Sequence, residues 1–142
     1  MAVDSTALTH WSGDLESGWG RTVLATSGAA EFDVNWQARS KGSDATTTPE
    51  ELLAAAHASC YSMALSKTLA DGGTPPESLD VKATVTFVPG TGITGSKLSV
   101  TATVPGLDSD AFEEIARAVK DGCPVSQALA SIELTLEDVI LT

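Results

Sequence analysis

Apolar and polar positions in this chain follow two periods, and the changes between them predict its elements. Phe32, Val34, Trp36 and Ala38 alternate with Asp33, Asn35, Gln37 and Arg39. A period of two predicts a strand with one buried and one polar face. Thr22 to Thr26 and Leu8 to Ser12, the latter ended by Gly13, are two further short strands. Residues 40–46 form a polar loop. The next stretch changes character: from Leu52 to Leu69 the only formal charge is Lys67. Thr48 is placed as an N-cap, Pro49 fits the first helical position, and Glu51 completes a Thr-x-x-Glu capping box. Gly72–Gly73 ends this helix and Pro75–Pro76 prevents its resumption.

Downstream, Val81, Ala83, Val85 and Phe87 alternate with polar residues, and so do Leu98, Val100, Ala102 and Val104. The Gly-rich segment 89–95 between them supplies the turn of a β-hairpin. Phe112, Ile115, Ala116 and Val119 fall at i, i+3, i+4 and i+7, an amphipathic helix ended by Gly122. A short helix follows from Pro124 to about Ala130, and Ile132, Leu134 and Leu136 mark a last strand. The order β-β-β-α-β-β-α-α-β predicts one α+β domain over residues 1–142 with an antiparallel sheet. The central helix has almost no polar face, and its small residues, Ala54 to Ala56, Ala58 and Ser59, permit close approach of another backbone. A chain of this size does not bury such a helix alone, so a homodimer with that helix near the interface is expected.

Composition narrows the function. Three Trp, one Tyr and three Phe leave most of the core to Leu, Val and Ala. A formal net charge of −11, from 19 acids against 8 bases, repels phosphate backbones and anionic lipid. No basic stretch followed by an apolar one opens the chain, and no run approaches the roughly 18 apolar residues of a membrane span. A cytoplasmic protein that binds neither nucleic acid nor membrane is expected. In that compartment two cysteines are either buried thiols or a working redox couple.

Cys60 lies about three turns into the central helix, where apolar surroundings raise a thiol pKa. Cys123 stands before Pro124, at a helix start whose unpaired N–H groups favour an anion. The residues alone therefore favour Cys123 as the nucleophile. For Cys60 to react, a cation must reach it. Arg39 is the leading candidate, at the end of a predicted strand; Arg21, in Gly18-Trp19-Gly20-Arg21, is the second, and Arg117 reads as a solvated helix residue. Glu50 is the natural partner for such an arginine, although an acid in a first helical turn also complements the dipole. Ten helical residues, about 15 Å of rise, separate Glu50 from Cys60. A straight helix keeps the two apart within one chain, whereas a dimer whose central helices run antiparallel would let them meet; the residues leave open whether Glu50 acts in its own chain or across the dimer. His57 reads as a helix-packing residue, and Ser126 either orients Cys123 or has no role. With two histidines and no close cysteine pair, no zinc site is expected.

His10-Trp11-Ser12-Gly13-Asp14, Thr48-Pro49-Glu50-Glu51-Leu52 running on to Ala58-Ser59-Cys60-Tyr61-Ser62-Met63, Val104-Pro105-Gly106 and Cys123-Pro124-Val125-Ser126-Gln127 resemble the osmotically inducible protein C (OsmC) family in order and spacing. That family is similar to the organic hydroperoxide resistance proteins. The resemblance runs from about residue 8 to the C-terminus. It implies an OsmC-like α+β fold, with antiparallel sheets packed around long central helices, in an intertwined homodimer that reduces organic hydroperoxides. It places the peroxidatic thiol at Cys60, the resolving thiol at Cys123, and the thiolate-stabilising pair at Arg39 and Glu50. The hydroperoxide-resistance branch takes its arginine from an earlier Gly-rich loop, which keeps Arg21 as the alternative. The implied reductant is a dithiol, possibly on a lipoylated protein, and no metal, flavin or haem is implied. An apolar pocket beside Cys60, including Met63 and Tyr61, is expected to favour bulky peroxides. The alternatives are a thiol redox sensor or binding module that switches without turnover, and a structural dimer with inert thiols.

Overall fold

The computed structural model describes residues 1–43 and 45–142; Asp44, in the predicted polar loop, lies outside them. The chain forms two compact units, Met1–Glu50 and Glu51–Thr142.

The first unit is an antiparallel meander of β1 (Leu8–Ser12), β2 (Trp19–Val23) and β3 (Glu31–Val34), followed by helix α1 (Trp36–Lys41). Trp11 pairs with Gly20 in the register. A Cβ at Gly20 would lie 2.9 Å from the Trp11 ring and 3.1 Å from the His10 carbonyl, so this position takes no side chain. Two expectations are corrected here. The second strand covers residues 19–23 rather than 22–26. The alternation through Arg39 breaks after Val34, and Trp36 to Arg39 are helical. The cause is Asn35: its side chain accepts from the Ala38 N–H at 2.7 Å and caps α1, which Gly42 closes at φ 85°.

Helix α2 (Pro49–Asp71) begins at the proline and carries the chain into the second unit. Its C-terminus is a Schellman motif. Gly73 takes φ 85°, the Thr74 N–H bonds the Leu69 carbonyl at 3.0 Å, and the Gly73 N–H bonds the Ala70 carbonyl at 3.0 Å. Then come β4 (Ser78–Val88), β5 (Gly92–Thr103), α3 (Ser109–Gly122), α4 (Pro124–Ala128) and β6 (Glu133–Leu141). β4 and β5 pair antiparallel as a hairpin with one irregularity at Thr86/Phe87. β5 and β6 pair parallel, so the sheet is mixed rather than purely antiparallel. The reason is the connection: two helices lie between these strands, and such a crossover returns the chain in the same direction.

The core of this unit joins Tyr61, Leu65 and Leu69 of α2 to Leu98, Val100 and Ala102 of β5 and to Phe112 and Ala116 of α3. His57, Tyr61, Leu65 and Leu69 recur every four residues and form the buried stripe of α2. The helix is thus buried along one face. Ala55, Ala56, Ser59, Met63 and Lys67 are exposed. Among the described residues no helix is long and apolar enough to cross a membrane.

Candidate active site

Cys60 and Cys123 belong to the second unit, on elements that share its core. α3 ends where Cys123 turns to extended backbone (φ −64°, ψ 128°), and α4 restarts at once with Pro124 as its first residue. This break places Cys123, wholly buried, beside half-buried Cys60. Both thiols are free.

The two sulfurs titrate in opposite directions. Burial pushes Cys60 up, and hydrogen bonding to Cys123 adds to the rise, against a smaller contribution from the Val125 N–H. Burial also acts to raise Cys123, but it is outweighed. The Ser126 N–H, the Cys60 thiol, the Val125 N–H and the Ser126 side chain all favour the Cys123 anion, and its pKa falls. The sulfur makes no complete cap hydrogen bond to α4; its stabilisation is spread over several weaker approaches. Within the chain the thiolate is therefore favoured at Cys123 over Cys60.

Beside Cys60 lies a cleft of about 690 Å³ whose lining includes Met63, Ala64, Val119 and Pro124. Met63, expected in such a pocket, is there and is 67% exposed. Tyr61 is not. One residue along the helix from Cys60 is a turn of about 100°, which carries Tyr61 into the core, where its hydroxyl donates to the Ala116 carbonyl at 2.8 Å. His57, fully buried, bonds Ser96 Oγ at 2.7 Å through Nδ1 and Ser126 Oγ at 2.8 Å through Nε2. Ser126 is the residue that also bears on Cys123. The signal for His57 was its position in the i, i+4 row of Tyr61, Leu65 and Leu69; its partners, 39 and 69 residues away, leave no local trace.

Arg39 and Glu50 come together within the first unit. Arg39 Nε and Nη2 both donate to Glu50 Oε1, at 3.0 and 2.8 Å. Glu50 is 6% exposed, so its carboxylate depends on this guanidinium. Arg21 is engaged differently. From the exposed face of β2 it reaches Glu31 at 2.5 Å and Asp33 at 2.7 Å. Those contacts raise its already high pKa and hold it on its own sheet. Arg117 pairs with Glu113 one turn earlier on α3. Among the described residues no cluster of three or more His, Cys, Asp and Glu side chains is grouped to hold a metal ion.

The family model for OsmC-like protein matches residues 41–137. The chain is 40% identical over 141 residues to Peroxiredoxin OsmC of Escherichia coli, covering 96% of each protein. It is 26% identical over 118 residues to organic hydroperoxide resistance protein OhrB of Bacillus subtilis, covering 81% of this chain and 86% of that one. Among solved structures it superposes on an organic hydroperoxide resistance protein OsmC from Legionella pneumophila with a TM-score of 0.72 at 22% identity, covering 99% and 98% of the two chains.

Proposed function

The chain belongs to the OsmC family, and from that premise we propose that it is a cysteine-based peroxidase that reduces organic hydroperoxides to alcohols, with Cys60 as peroxidatic and Cys123 as resolving thiol. The observation that carries the reading is the meeting of two free thiols next to a cleft with apolar walls. The Cys60 thiolate attacks the outer oxygen of ROOH. The O–O bond breaks, RO⁻ takes a proton and leaves as ROH, and Cys60 becomes a sulfenic acid. Cys123 then attacks the Cys60 sulfur; hydroxide leaves with the remaining thiol proton as water, and a disulfide forms. A dithiol, such as a lipoyl group, restores both thiols and is oxidised to its own disulfide.

This sequence needs the charge on Cys60, whereas the subunit by itself favours Cys123. The reading therefore requires a cation. The Arg39–Glu50 pair supplies it, contributed across a homodimer, since Glu50 stands about 15 Å of helical rise from Cys60 in its own chain. The exposed small-residue face of α2, with Ala55, Ala56, Ser59 and Met63, is suited to that second subunit. Glu50 keeps the guanidinium aimed, and the guanidinium stabilises first the thiolate and then the oxygen charge that develops as the O–O bond breaks. The test is turnover of cumene hydroperoxide with dihydrolipoamide, run beside mass spectrometry of the wild type and the two single-serine variants. Turnover retained in Cys60→Ser overturns the assignment of roles; oxidation that stops at one equivalent in the presence of dithiol favours a sensor.

A further inference from the structure

His57 is a buried titratable side chain of the second unit that the proposed reaction leaves unused. It is fully buried, as is Ser96, and Ser126 is 2% exposed. The three tie together α2, β5 and α4, which are the helix of Cys60, the central strand and the helix that opens after Cys123. Burial lowers the His57 pKa, so the ring is neutral and carries one N–H. Two hydroxyls and one neutral imidazole can satisfy one another in two directions only. When Ser96 donates to Nδ1, Nε2–H donates to Ser126, and the Ser126 hydroxyl proton is free for the Cys123 sulfur. When Ser126 donates to Nε2, its proton is spent on the ring and it offers the sulfur only an acceptor. The favourable effect of the Ser126 side chain on the Cys123 anion fits the first direction.

We propose that His57 is a positioning residue for the resolving step: anchored by Ser96, it holds the Ser126 hydroxyl as a donor to the Cys123 sulfur and so sets how readily that sulfur attacks the Cys60 sulfenic acid. The inference rests on the proposed peroxidase reading, in which the Cys60–OH bond breaks, the sulfur–sulfur bond forms, and the Cys123 proton departs with the hydroxide as water. A charge-assisted hydrogen bond is at stake, so its loss slows resolution by about tenfold.

The experiment gives the reduced protein one equivalent of cumene hydroperoxide with dimedone present. It reads the ratio of trapped Cys60 sulfenic acid to Cys60–Cys123 disulfide by mass spectrometry. His57→Leu and Ser126→Ala each raise that ratio about tenfold, the double variant raises it no further, and His57→Gln, whose amide donates and accepts, restores much of it. In the Cys60→Ser background, the ultraviolet thiolate absorbance of Cys123 at neutral pH drops in Ser126→Ala and in His57→Leu. A ratio and absorbance unchanged in Ser126→Ala overturn the inference, even if His57→Leu fails to fold; so does a fall in thermal stability of His57→Leu with no change in ratio. If neither the wild type nor Cys123→Ser yields any Cys60 adduct, the peroxidase reading has failed and takes this inference with it. A Cys60 adduct with an unmoved ratio removes this inference alone.

Discussion

Cys123 sits in the break between α3 and α4, where the N–H groups of Val125 and Ser126 favour its anion. Cys60 sits in the middle of α2, where the backbone donors of its own helix are already committed and burial raises its pKa. The two sulfurs are neighbours in one core, yet the chain supplies several charge-stabilising groups to Cys123 and little beyond the Val125 N–H to Cys60. A thiol in the second setting is disfavoured as the thiolate. A thiol in the first is ready to act as soon as its neighbour has been oxidised. The difference lies in local backbone, mid-helix against helix break, and not in depth of burial.

The strongest way to break this comparison is to remove one sulfur at a time. Cys60→Ser is expected to lower hydroperoxide turnover by about a thousandfold or more, because no other group takes its place as nucleophile. Cys123→Ser is expected to keep the first step and stop at the sulfenic acid, seen as a single dimedone adduct and a single turnover. Should the Cys123 variant lose the first step instead, the sulfur with the lowered pKa is the nucleophile and the roles are reversed.

The next effect tests the cation. Arg39→Met is expected to lower kcat/KM by about a hundredfold, since a charge-assisted contact to the developing anion is lost. The pH dependence gives the sign. The thiolate is the reactive form, and burial already pushes Cys60 up. Without its cation the pKa stays raised, so the acid limb of the activity profile moves to higher pH and activity recovers as pH increases. Glu50→Gln is expected to fall the same way by about tenfold, because the buried carboxylate that both Arg39 bonds reach is gone. Arg21→Met, by contrast, breaks only exposed contacts to Glu31 and Asp33 and is expected to change kcat/KM by less than about twofold. Steady-state rates of the three variants across pH decide among these outcomes. Equal losses at Arg21 and Arg39 would remove the distinction.

Several parts of this site were legible in the chain, for identifiable reasons. The helix of Cys60 announces itself through Pro49, a nearly uncharged run and Gly72–Gly73, and it spans Pro49–Asp71. The α3 helix shows its i, i+3, i+4 spacing, and Phe112, Ala116 and Val119 are buried. Such signals are local, and local signals survive translation into structure. The misreadings arise where something other than hydropathy periodicity decides the structure. Asn35 ends a strand pattern that would otherwise run on through Arg39, and its side chain rather than its hydropathy decides the matter. The parallel pairing of β6 depends on where a crossover sets the strand down, which alternation alone does not encode. His57 was legible as a buried helix residue and illegible as a link, because Ser96 and Ser126 are brought to it only by the tertiary fold.

The smallest effect sharpens the comparison from inside the helix. Tyr61 follows Cys60 in sequence, yet its hydroxyl points into the core and donates to Ala116, away from the cleft. Burial pushes its pKa up, so the phenol stays neutral throughout the range in which the thiols titrate. Tyr61→Phe keeps the ring that packs against Leu65 and Phe112 in the core and removes only the hydrogen bond. The expected cost is about 1 kcal/mol of unfolding free energy, the net value of one buried neutral hydrogen bond. Turnover is expected to stay within about twofold of wild type, since the phenol touches neither sulfur nor substrate. Denaturant unfolding measured beside peroxide consumption separates the two quantities. A stable variant with markedly reduced turnover would mean that the Tyr61 face of α2 takes part in the chemistry, and that Cys60 draws on its own chain more than its raised pKa implies.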